Sequence, residues 1–314
     1  MTFKRIFMFF CIMVVLETGG MLSVSIWRNH EEAAQAEAES MQLPQTAEAM
    51  VERSPRALDE TDLQQQVLQI LGADAGQFSV YFLRPDREEE PFIYQSRQMS
   101  PASMIKLFVM ATVMQQVKEG KLSLDDKLRV DEDDVVGGAG VITWYNDGEQ
   151  MTLRYLLTVM ITDSDNTATN ILIDRVGMDA INRYIAVHGY PDTTLAHKMM
   201  IGNNGEKNYS SVRDIGHLLT RLYYHELVGA QEDSFMLDIL SRQKDKECFP
   251  AALPDWQIAH KTGEVTGLYD DGGIFYGTDG DFILVIMNES YADRQTAIGL
   301  MKELTGYFAC TLKK

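Results

Sequence analysis

The segment at residues 100–114, SPASMIKLFVMATVM, predicts a helix that is apolar on almost every face. A helix of that kind is normally buried in the core of a domain. Lys106 nevertheless lies in its middle, between Ile105 and Leu107. A buried ammonium group must be paired or must lose its proton, because burying an unpaired charge is costly. The segment therefore predicts a folded domain around the helix and a special environment for Lys106.

Ser103 precedes Lys106 by three residues, a spacing that places both side chains on one face of a helix. We expect Ser100 to cap this helix and Pro101 to start it, with Ser103 in the first turn. A serine hydroxyl is a poor nucleophile until a base takes its proton, and a lysine whose pKa is lowered by burial can be that base. The alternative is a helix-start serine with a lysine that reaches to water.

A second polar group, Ser164-Asp165-Asn166, falls between two apolar helical segments. Residues of these types favour the cap of the following helix. A cap at a helix junction can also present the Ser164 hydroxyl and the Asn166 carboxamide to a cleft. Both interpretations are compatible with the sequence.

A third group, Lys261-Thr262-Gly263, ends a strand-like run. One interpretation is a strand that stops at a glycine turn. The other is an edge strand that offers backbone groups to a substrate, with Lys261 adding a positive charge.

The order of the predicted elements indicates an α+β fold. Helices are bracketed by strands, which argues for an antiparallel β-sheet flanked by helices, with an inserted all-helical lobe. The predicted strands are residues 77–84, 91–96, 256–265, 273–276 and 282–288, and the predicted helices after the first are residues 153–161, 166–176, 179–188, 211–227 and 293–312.

The three groups occur in the order S-x-x-K, S-D-N, K-T-G, and with this order the sequence resembles the penicillin-recognising serine hydrolases, the class A β-lactamases in particular. The likeness runs from about residue 61 to the C-terminus. It implies the β-lactamase/transpeptidase-like fold. It also implies that Ser103 is the acylated nucleophile, that Lys106 accepts its proton, and that Ser164 passes a proton to the leaving β-lactam nitrogen.

The resemblance also implies a set of substrate-binding residues: Asn166, Lys261, Thr262, Gly263 and Glu264. Asn166 would bind the side-chain amide of the substrate, and Lys261 and Thr262 its carboxylate. The backbone N–H groups of Ser103 and Glu264 would form the oxyanion hole. The Glu264 side chain departs from the family pattern, in which a small or neutral residue follows K-T-G, and its charge would repel anionic substrates.

One expected feature of class A enzymes is missing. The loop at residues 195–211 has no E-x-x-L-N, and the position of its glutamate falls near Met199 or Met200. Glu206 is the one carboxylate in this loop and is a candidate substitute base. We therefore expect a β-lactamase-type serine hydrolase acting on β-lactams or related amides. The alternatives are a penicillin-binding-like D,D-peptidase and a slowly deacylating protein that binds β-lactams or peptidoglycan.

The predicted hydrolase domain comprises residues 61–314, and two further segments are predicted upstream of it. Residues 1–27 carry Lys4 and Arg5 before an apolar run and are either a cleaved signal peptide or an uncleaved membrane anchor. Both would export the rest of the chain, which would then be extracytoplasmic in the cell envelope, either anchored in the membrane or secreted. Residues 28–60, rich in Glu, Ala and Gln, are expected to be a solvated linker.

The net charge of −18 argues against nucleic acid as a partner. No spacing of histidines or cysteines suggests a metal, and no cofactor is expected. Cys248 and Cys310 are the two cysteines in the predicted domain, and the sequence leaves open whether they form a disulfide. The expected partner is a small β-lactam or cell-wall peptide substrate, and the protein is expected to be a monomer.

Overall fold

The computed structural model describes residues 60–202 and 205–313. The predicted signal or anchor segment lies outside these residues, as does the predicted linker except Glu60. In chain order the elements are α1 (Glu60–Leu71), β1 (Phe78–Leu83), β2 (Phe92–Tyr94), α2 (Lys106–Lys118), β3 (Lys127–Arg129), β4 (Gln150–Thr152), α3 (Leu153–Thr162), α4 (Asn166–Val176), α5 (Met178–Val187), α6 (Val212–Tyr223), α7 (Ala230–Ser241), α8 (Phe249–Ala252), β5 (Gln257–Val265), β6 (Leu268–Tyr276), β7 (Phe282–Asn288) and α9 (Arg294–Thr311).

Five strands form one antiparallel sheet in the order β2-β1-β7-β6-β5. The first and last parts of the domain therefore meet in one sheet, and the helices between β2 and β5 form an insertion. This confirms the predicted α+β architecture. β5 lies at the edge of the sheet, as the edge-strand interpretation of residues 261–263 requires. β3 and β4 form a separate two-stranded sheet.

Both faces of the large sheet are covered, because successive side chains of a strand point to opposite faces. On β7, Ile283 and Val285 join the core under the helical insertion, whereas Leu284 and Ile286 join a second core with α1 and α9. The buried apolar residues of β7 therefore pack against helices on both faces of the sheet.

Several predicted boundaries need correction. The helix predicted at residues 211–227 ends at Tyr223, and α7 was not predicted because charged residues interrupt its apolar positions. Cys248 is buried and Cys310 is exposed, and both are free thiols, so the two do not form a disulfide. Within the described ranges, no helix is both long and apolar enough to cross a membrane.

Candidate active site

Ser103 lies in a tight 3-10 turn, Ala102–Ile105, immediately before α2. The prediction that Ser100 caps the helix is wrong: Pro101 occupies the position before the turn, and no side chain caps it. The reason is local, since Ala102 adopts a positive φ of 41° and the Met104 N–H bonds to the Pro101 carbonyl at 2.7 Å. The turn places Ser103 ahead of the α-helix and keeps it beside Lys106.

The Lys106 side chain is fully buried, so the alternative in which it reaches to water is wrong. Its Nζ lies 3.1 Å from Ser103 Oγ, 3.1 Å from Ser164 Oγ and 2.9 Å from Asn166 Oδ1. A fourth neighbour, the Ser164 carbonyl oxygen, is 2.6 Å away. Two of the three residue groups identified in the sequence, S-x-x-K and S-D-N, thus meet at this amine.

Burial lowers the pKa of Lys106 well below its ordinary value, and the nearby Lys261 charge lowers it further, whereas Asp165 opposes the shift. A neutral amine has two N–H donors and one lone pair. The two carbonyl-type oxygens, of Ser164 and of the Asn166 side chain, can only accept and take the two donors. The lone pair is then available to the Ser103 hydroxyl, which is the arrangement of a nucleophile with its base.

The turn at residues 164–166 is both a helix cap and part of the site. Asp165 accepts a hydrogen bond from Ala168 N at 2.7 Å and so caps α4. Its other oxygen accepts from the N–H groups of Val141 and Ile142, at 2.6 and 2.8 Å. Ser164 has a positive φ of 54°, a conformation that is costly outside glycine and persists here because the surrounding bonds hold it.

A glycine-rich loop at residues 137–140 packs closely on this turn. A Cβ on Gly140 would lie 2.5 Å from Asp165 Oδ2, and one on Gly138 would lie 2.6 Å from Asn166 Nδ2. Asn166 Nδ2 also donates to the Gly137 carbonyl at 3.0 Å. Sequence reasoning missed this loop as part of the site, although the run G-G-A-G was a signal of close backbone approach.

Lys261 approaches from β5. Its side chain is fully buried, and its Nζ donates to the Thr262 carbonyl at 2.8 Å and lies 3.1 Å from Ser164 Oγ. Burial lowers the pKa of Lys261 to about 8, although Asp245 and Asp271 counter the shift. Lys106 and Lys261 therefore both contact the Ser164 hydroxyl.

Gly263 of β5 lies close against the turn that carries Ser103. A Cβ at this position would lie 2.6 Å from the Pro101 carbonyl oxygen, so a larger residue would push the strand away. Glu264 follows at the rim, where its oxygens bond to Arg294 Nε at 2.6 Å and Nη2 at 3.0 Å. Arg294 offsets the charge of the Glu264 carboxylate, which sequence reasoning expected to repel anionic substrates.

A cleft of about 890 Å³ opens beside Ser103. Its lining includes Ser100, Ala102, Ser103, Gly138, Ala139, Asn166, His197, Met199, Met200, Lys207, Asn208, Glu264 and Glu289. Glu206, the candidate substitute base, is exposed and does not line this cleft. The loop therefore presents two methionines to the cleft at the place where the family pattern has its glutamate.

The Asn170 side chain holds this loop and was missed by sequence reasoning. Its Oδ1 accepts from Met199 N at 2.8 Å, and its Nδ2 donates to Met199 O at 3.0 Å. Asn170 lies four residues after Asn166, so both project from the same side of α4. That repeated asparagine was the available signal. The backbone of Met199 is thereby fixed at the edge of the cleft.

A second chamber, of about 390 Å³, adjoins Ser103 on the side of β5. Its lining consists of Ser103, Ala139, Thr162, Asp163, Ser164, Gln243, Lys244, Asp245, Thr262 and Glu264. Among the residues that the structure describes, no group of three His, Cys, Asp or Glu side chains is arranged to hold a metal ion.

Comparison with known proteins agrees with this geometry. The model of the family described as "Beta-lactamase enzyme family" matches residues 62–306. The β-lactamase SME-1 of Serratia marcescens is 24% identical over 203 residues, which are 62% of this chain and 66% of that protein. The D-alanyl-D-alanine carboxypeptidase DacF of Bacillus subtilis (strain 168) is 26% identical over 148 residues, 44% of this chain and 37% of that protein.

Among solved structures, a β-lactamase from Sphaerobacter thermophilus superposes with a TM-score of 0.74 at 26% identity, over 81% of this chain and 98% of that one. The chain spans about two thirds or less of the length of the curated relatives named above. The fold and the family match together place the chain in the Beta-lactamase enzyme family, among the penicillin-recognising serine hydrolases.

Proposed function

We propose that this protein is a β-lactamase-type serine hydrolase that forms an acyl-enzyme on Ser103 with β-lactams or related amides. One observation carries the proposal: a fully buried Lys106 lies 3.1 Å from Ser103 Oγ, and within the described part of the chain none of its hydrogen-bonding partners is a carboxylate. A lysine in such surroundings is a base, because burial favours its neutral form.

In the first step, Ser103 Oγ attacks the carbonyl carbon of the amide, and its proton moves to Lys106 Nζ. The carbonyl oxygen becomes an oxyanion, for which the predicted donors are the backbone N–H groups of Ser103 and Glu264. The carbon–nitrogen bond then breaks, and Ser164 gives its proton to the leaving nitrogen. Ser164 regains a proton from Lys106, so the step balances.

The second step, hydrolysis of the acyl-enzyme, favours a second candidate function. A water molecule must lose a proton as it attacks the ester, and a positioned base normally accepts it. The loop offers Met199 and Met200 at this point, and neither thioether is a base. A penicillin-binding-like D,D-peptidase, on which β-lactams act as slowly released inhibitors, fits this feature, and DacF carries the name of such a peptidase.

Turnover distinguishes the two candidates. The full chain is assayed for hydrolysis of a chromogenic cephalosporin and, separately, for release of D-alanine from a peptide that ends in D-Ala-D-Ala, with Ser103→Ala as the blank. Sustained cephalosporin hydrolysis supports the β-lactamase. A single burst without turnover, together with D-alanine release, supports the peptidase. Absence of any reaction with both substrates contradicts the proposed function.

We also propose that the domain acts outside the cytoplasm, as the basic and apolar residues 1–27 suggest. The test is protease treatment of intact cells that produce the full chain. Degradation of the domain without cell lysis, or its release into the medium, supports export. Protection until the cells are lysed contradicts it.

A further inference from the structure

A buried pair of ionisable side chains lies behind the strand that carries Lys261. His260 of β5 and Asp271 of β6 are both fully buried, and His260 Nδ1 lies 2.9 Å from Asp271 Oδ1. The other oxygen of Asp271 accepts from the Phe249 N–H at 3.3 Å. The reaction described above uses neither residue, although burying ionisable groups is costly even when they are paired. The pair therefore requires an explanation of its own.

The pair and the Lys261 side chain lie on opposite faces of the sheet, because side chains alternate along a strand. Lys261 points to the reaction site. The His260 ring instead packs near Phe249 of α8, with ring centroids 6.4 Å apart. Asp271 stands opposite Thr262 in the register of β5 and β6, one position away from Lys261. Any influence of the Asp271 carboxylate on Lys261 is therefore exerted across the sheet.

The packing around the His260 ring fixes this arrangement. A Cβ on Gly273, the residue opposite His260, would lie 2.7 Å from His260 Cβ, so the glycine makes room for the ring. His260 Nε2 is buried and has no hydrogen-bond partner among the residues that the structure describes. The bond to Asp271 therefore orients the ring, and the ring in turn fixes the carboxylate.

Two opposing effects set the charge of Asp271. Burial raises the pKa of its carboxyl, whereas the charge and the hydrogen bond of His260 lower it. The adjacent Asp270 is different. Its Oδ1 accepts from Asn288 N at 2.9 Å, but its Oδ2 is buried with no partner in the described part of the chain, and burial raises its pKa well above the ordinary value. Of these two neighbours, Asp271 is the one with a partner that favours the charged form.

Lys261 needs such an anion, because it has to be charged while it is buried. Burial lowers its pKa to about 8, and the carboxylates of Asp245 and Asp271 act against this shift. Asp271 is the more deeply buried of the two, so water and salt screen its charge less. The other titratable groups around Lys261 and the pair are Lys106, Asp165, Cys248, Tyr269, Asp270 and Lys302.

We propose that Asp271 is a positioning residue that keeps Lys261 in its charged form, and that His260 holds Asp271 ionised. The proposal rests on the proposed function, because it assumes that Ser103 is acylated and that this step needs the charge of Lys261. The charged Lys261 donates to Ser164, whose proton goes to the leaving nitrogen. Without the charge of Asp271, Lys261 loses its proton at a lower pH, and acylation then fails at a lower pH on the alkaline side.

A purely structural role of Asp271 predicts different behaviour. Asp271 also links β6 to the start of α8 through the Phe249 N–H. If that link were its whole contribution, Asp271→Asn would slow acylation by the same factor at every pH. A role through the charge of Lys261 moves the alkaline limb of the pH profile instead.

The experiment measures the second-order rate of Ser103 acylation by benzylpenicillin in the full chain. Intact-protein mass spectrometry follows the reaction between pH 5 and pH about 10. The variants are Asp271→Asn alone and Asp271→Asn combined with Lys261→Arg. Asp270→Asn is the matched control, because it makes the same substitution at an adjacent and equally buried carboxyl whose raised pKa leaves little charge to remove.

We expect Asp271→Asn to move the alkaline limb about one pH unit lower, the order of shift that a nearby opposite charge produces. Asp270→Asn should leave the limb in place. In the Lys261→Arg background, Asp271→Asn should not move the limb, because a guanidinium keeps its charge. An alkaline limb that stays at the wild-type pH in Asp271→Asn, or that moves equally in the Lys261→Arg background, overturns the proposal while the proposed function stands.

His260 provides a second route if Asp271→Asn does not fold. His260→Leu removes the Nδ1 donor, so Asp271 takes up a proton more readily and the limb should again move to lower pH. His260→Asn keeps an N–H near the place of Nδ1 and should restore the wild-type limb. An unmoved limb in His260→Leu then overturns the proposal. A wild-type chain that benzylpenicillin does not acylate overturns the proposed function as well.

Discussion

The Ser164 hydroxyl lies between two lysine amines. The amines of Lys106 and Lys261 each lie 3.1 Å from its oxygen. A hydroxyl has two lone pairs and one proton. Once Lys106 has taken the proton of Ser103, both amines can donate to the lone pairs, and the proton of Ser164 remains for the leaving nitrogen of a substrate. The two lysines thus have separate requirements, since Lys106 must be neutral to act as a base and Lys261 must be charged.

These requirements predict the pH dependence of acylation. The rate rises as Lys106 loses its proton, in a range well below the ordinary pKa of lysine because burial depresses the pKa of Lys106. The rate falls as Lys261 loses its charge, with a pKa of about 8. Lys261→Arg keeps the charge and should move the alkaline limb upward. The measurement is the acylation rate between pH 5 and pH about 10. An alkaline limb that stays in place in Lys261→Arg would contradict this assignment.

Asp165 is a second test at the scale of the residue. Its carboxylate is fully buried and accepts three backbone N–H bonds, from Ala168, Val141 and Ile142. Asp165→Ala leaves those buried donors unpaired, and we expect a loss of about 3 kcal/mol in the free energy of unfolding. The measurement is urea denaturation followed by circular dichroism.

Asp293→Ala is the matched control, because Asp293 caps α9 from an exposed position, where its carboxylate accepts from the N–H and the hydroxyl of Thr296. It should cost about 1 kcal/mol. Equal losses in the two variants would show that the bonds of Asp165 to the Val141 and Ile142 N–H groups add nothing to its role as a cap.

At the scale of the element, the site depends on close approach of backbone segments. The turn that carries Ser103 contacts β5 at Gly263, and the loop at residues 137–140 contacts the turn at residues 164–166. Helix α4 and strand β7 have the bounds that the sequence predicts, because their apolar patterns are clear. The Ser103 turn was not predictable, because a single positive φ at Ala102 replaces the expected helix start and no residue type announces it.

The close contact between Gly140 and Asp165 predicts that a larger residue at position 140 slows acylation. Gly140 has a φ of +140°, and a Cβ there would collide with Asp165. Gly140→Ala should therefore displace the Ser164 turn and slow acylation by benzylpenicillin about tenfold or more, as expected for a shift in the position of a catalytic group. The control is Gly120→Ala, which has the same kind of backbone strain but faces open space. Similar acylation rates in both variants would contradict the proposed contact.

At the scale of the whole molecule, the sequence predicted more of the acylation centre than of the rest of the cleft. The five residues Ser103, Lys106, Ser164, Asn166 and Lys261 belong to one chain of contacts, as their motifs imply. Lys106 contacts Ser103, Ser164 and Asn166, and Lys261 contacts Ser164. Their roles as catalytic and binding residues stay predictions. The hydrogen bonds between the Asn170 side chain and Met199 were not predicted, and neither was the turn that carries Lys244. Both depend on contacts between segments distant in sequence.

The loop that carries Met199 and Met200 predicts that an added carboxylate speeds hydrolysis of the acyl-enzyme. Met199 is 8% exposed and its backbone is fixed by Asn170, whereas Met200 is 63% exposed. Met199→Glu places a carboxylate at the edge of the cleft, and we expect the penicilloyl adduct to decay about 100-fold faster, the lower range for a general base. Met200→Glu adds the same charge one residue away and should have little effect. An unchanged lifetime of the adduct in Met199→Glu would contradict this view of the loop.

The most direct test of the account is whether benzylpenicillin acylates Ser103. The full chain is incubated with excess benzylpenicillin, and intact-protein mass spectra are recorded over time beside Ser103→Ala and Lys106→Ala. We expect an added mass of one penicillin on the wild-type chain, none on Ser103→Ala and a much slower addition on Lys106→Ala. The lifetime of the adduct then separates the hydrolase from the slowly released peptidase. A wild-type chain that gains no mass, or a Ser103→Ala chain that gains the same mass, would contradict the central claim.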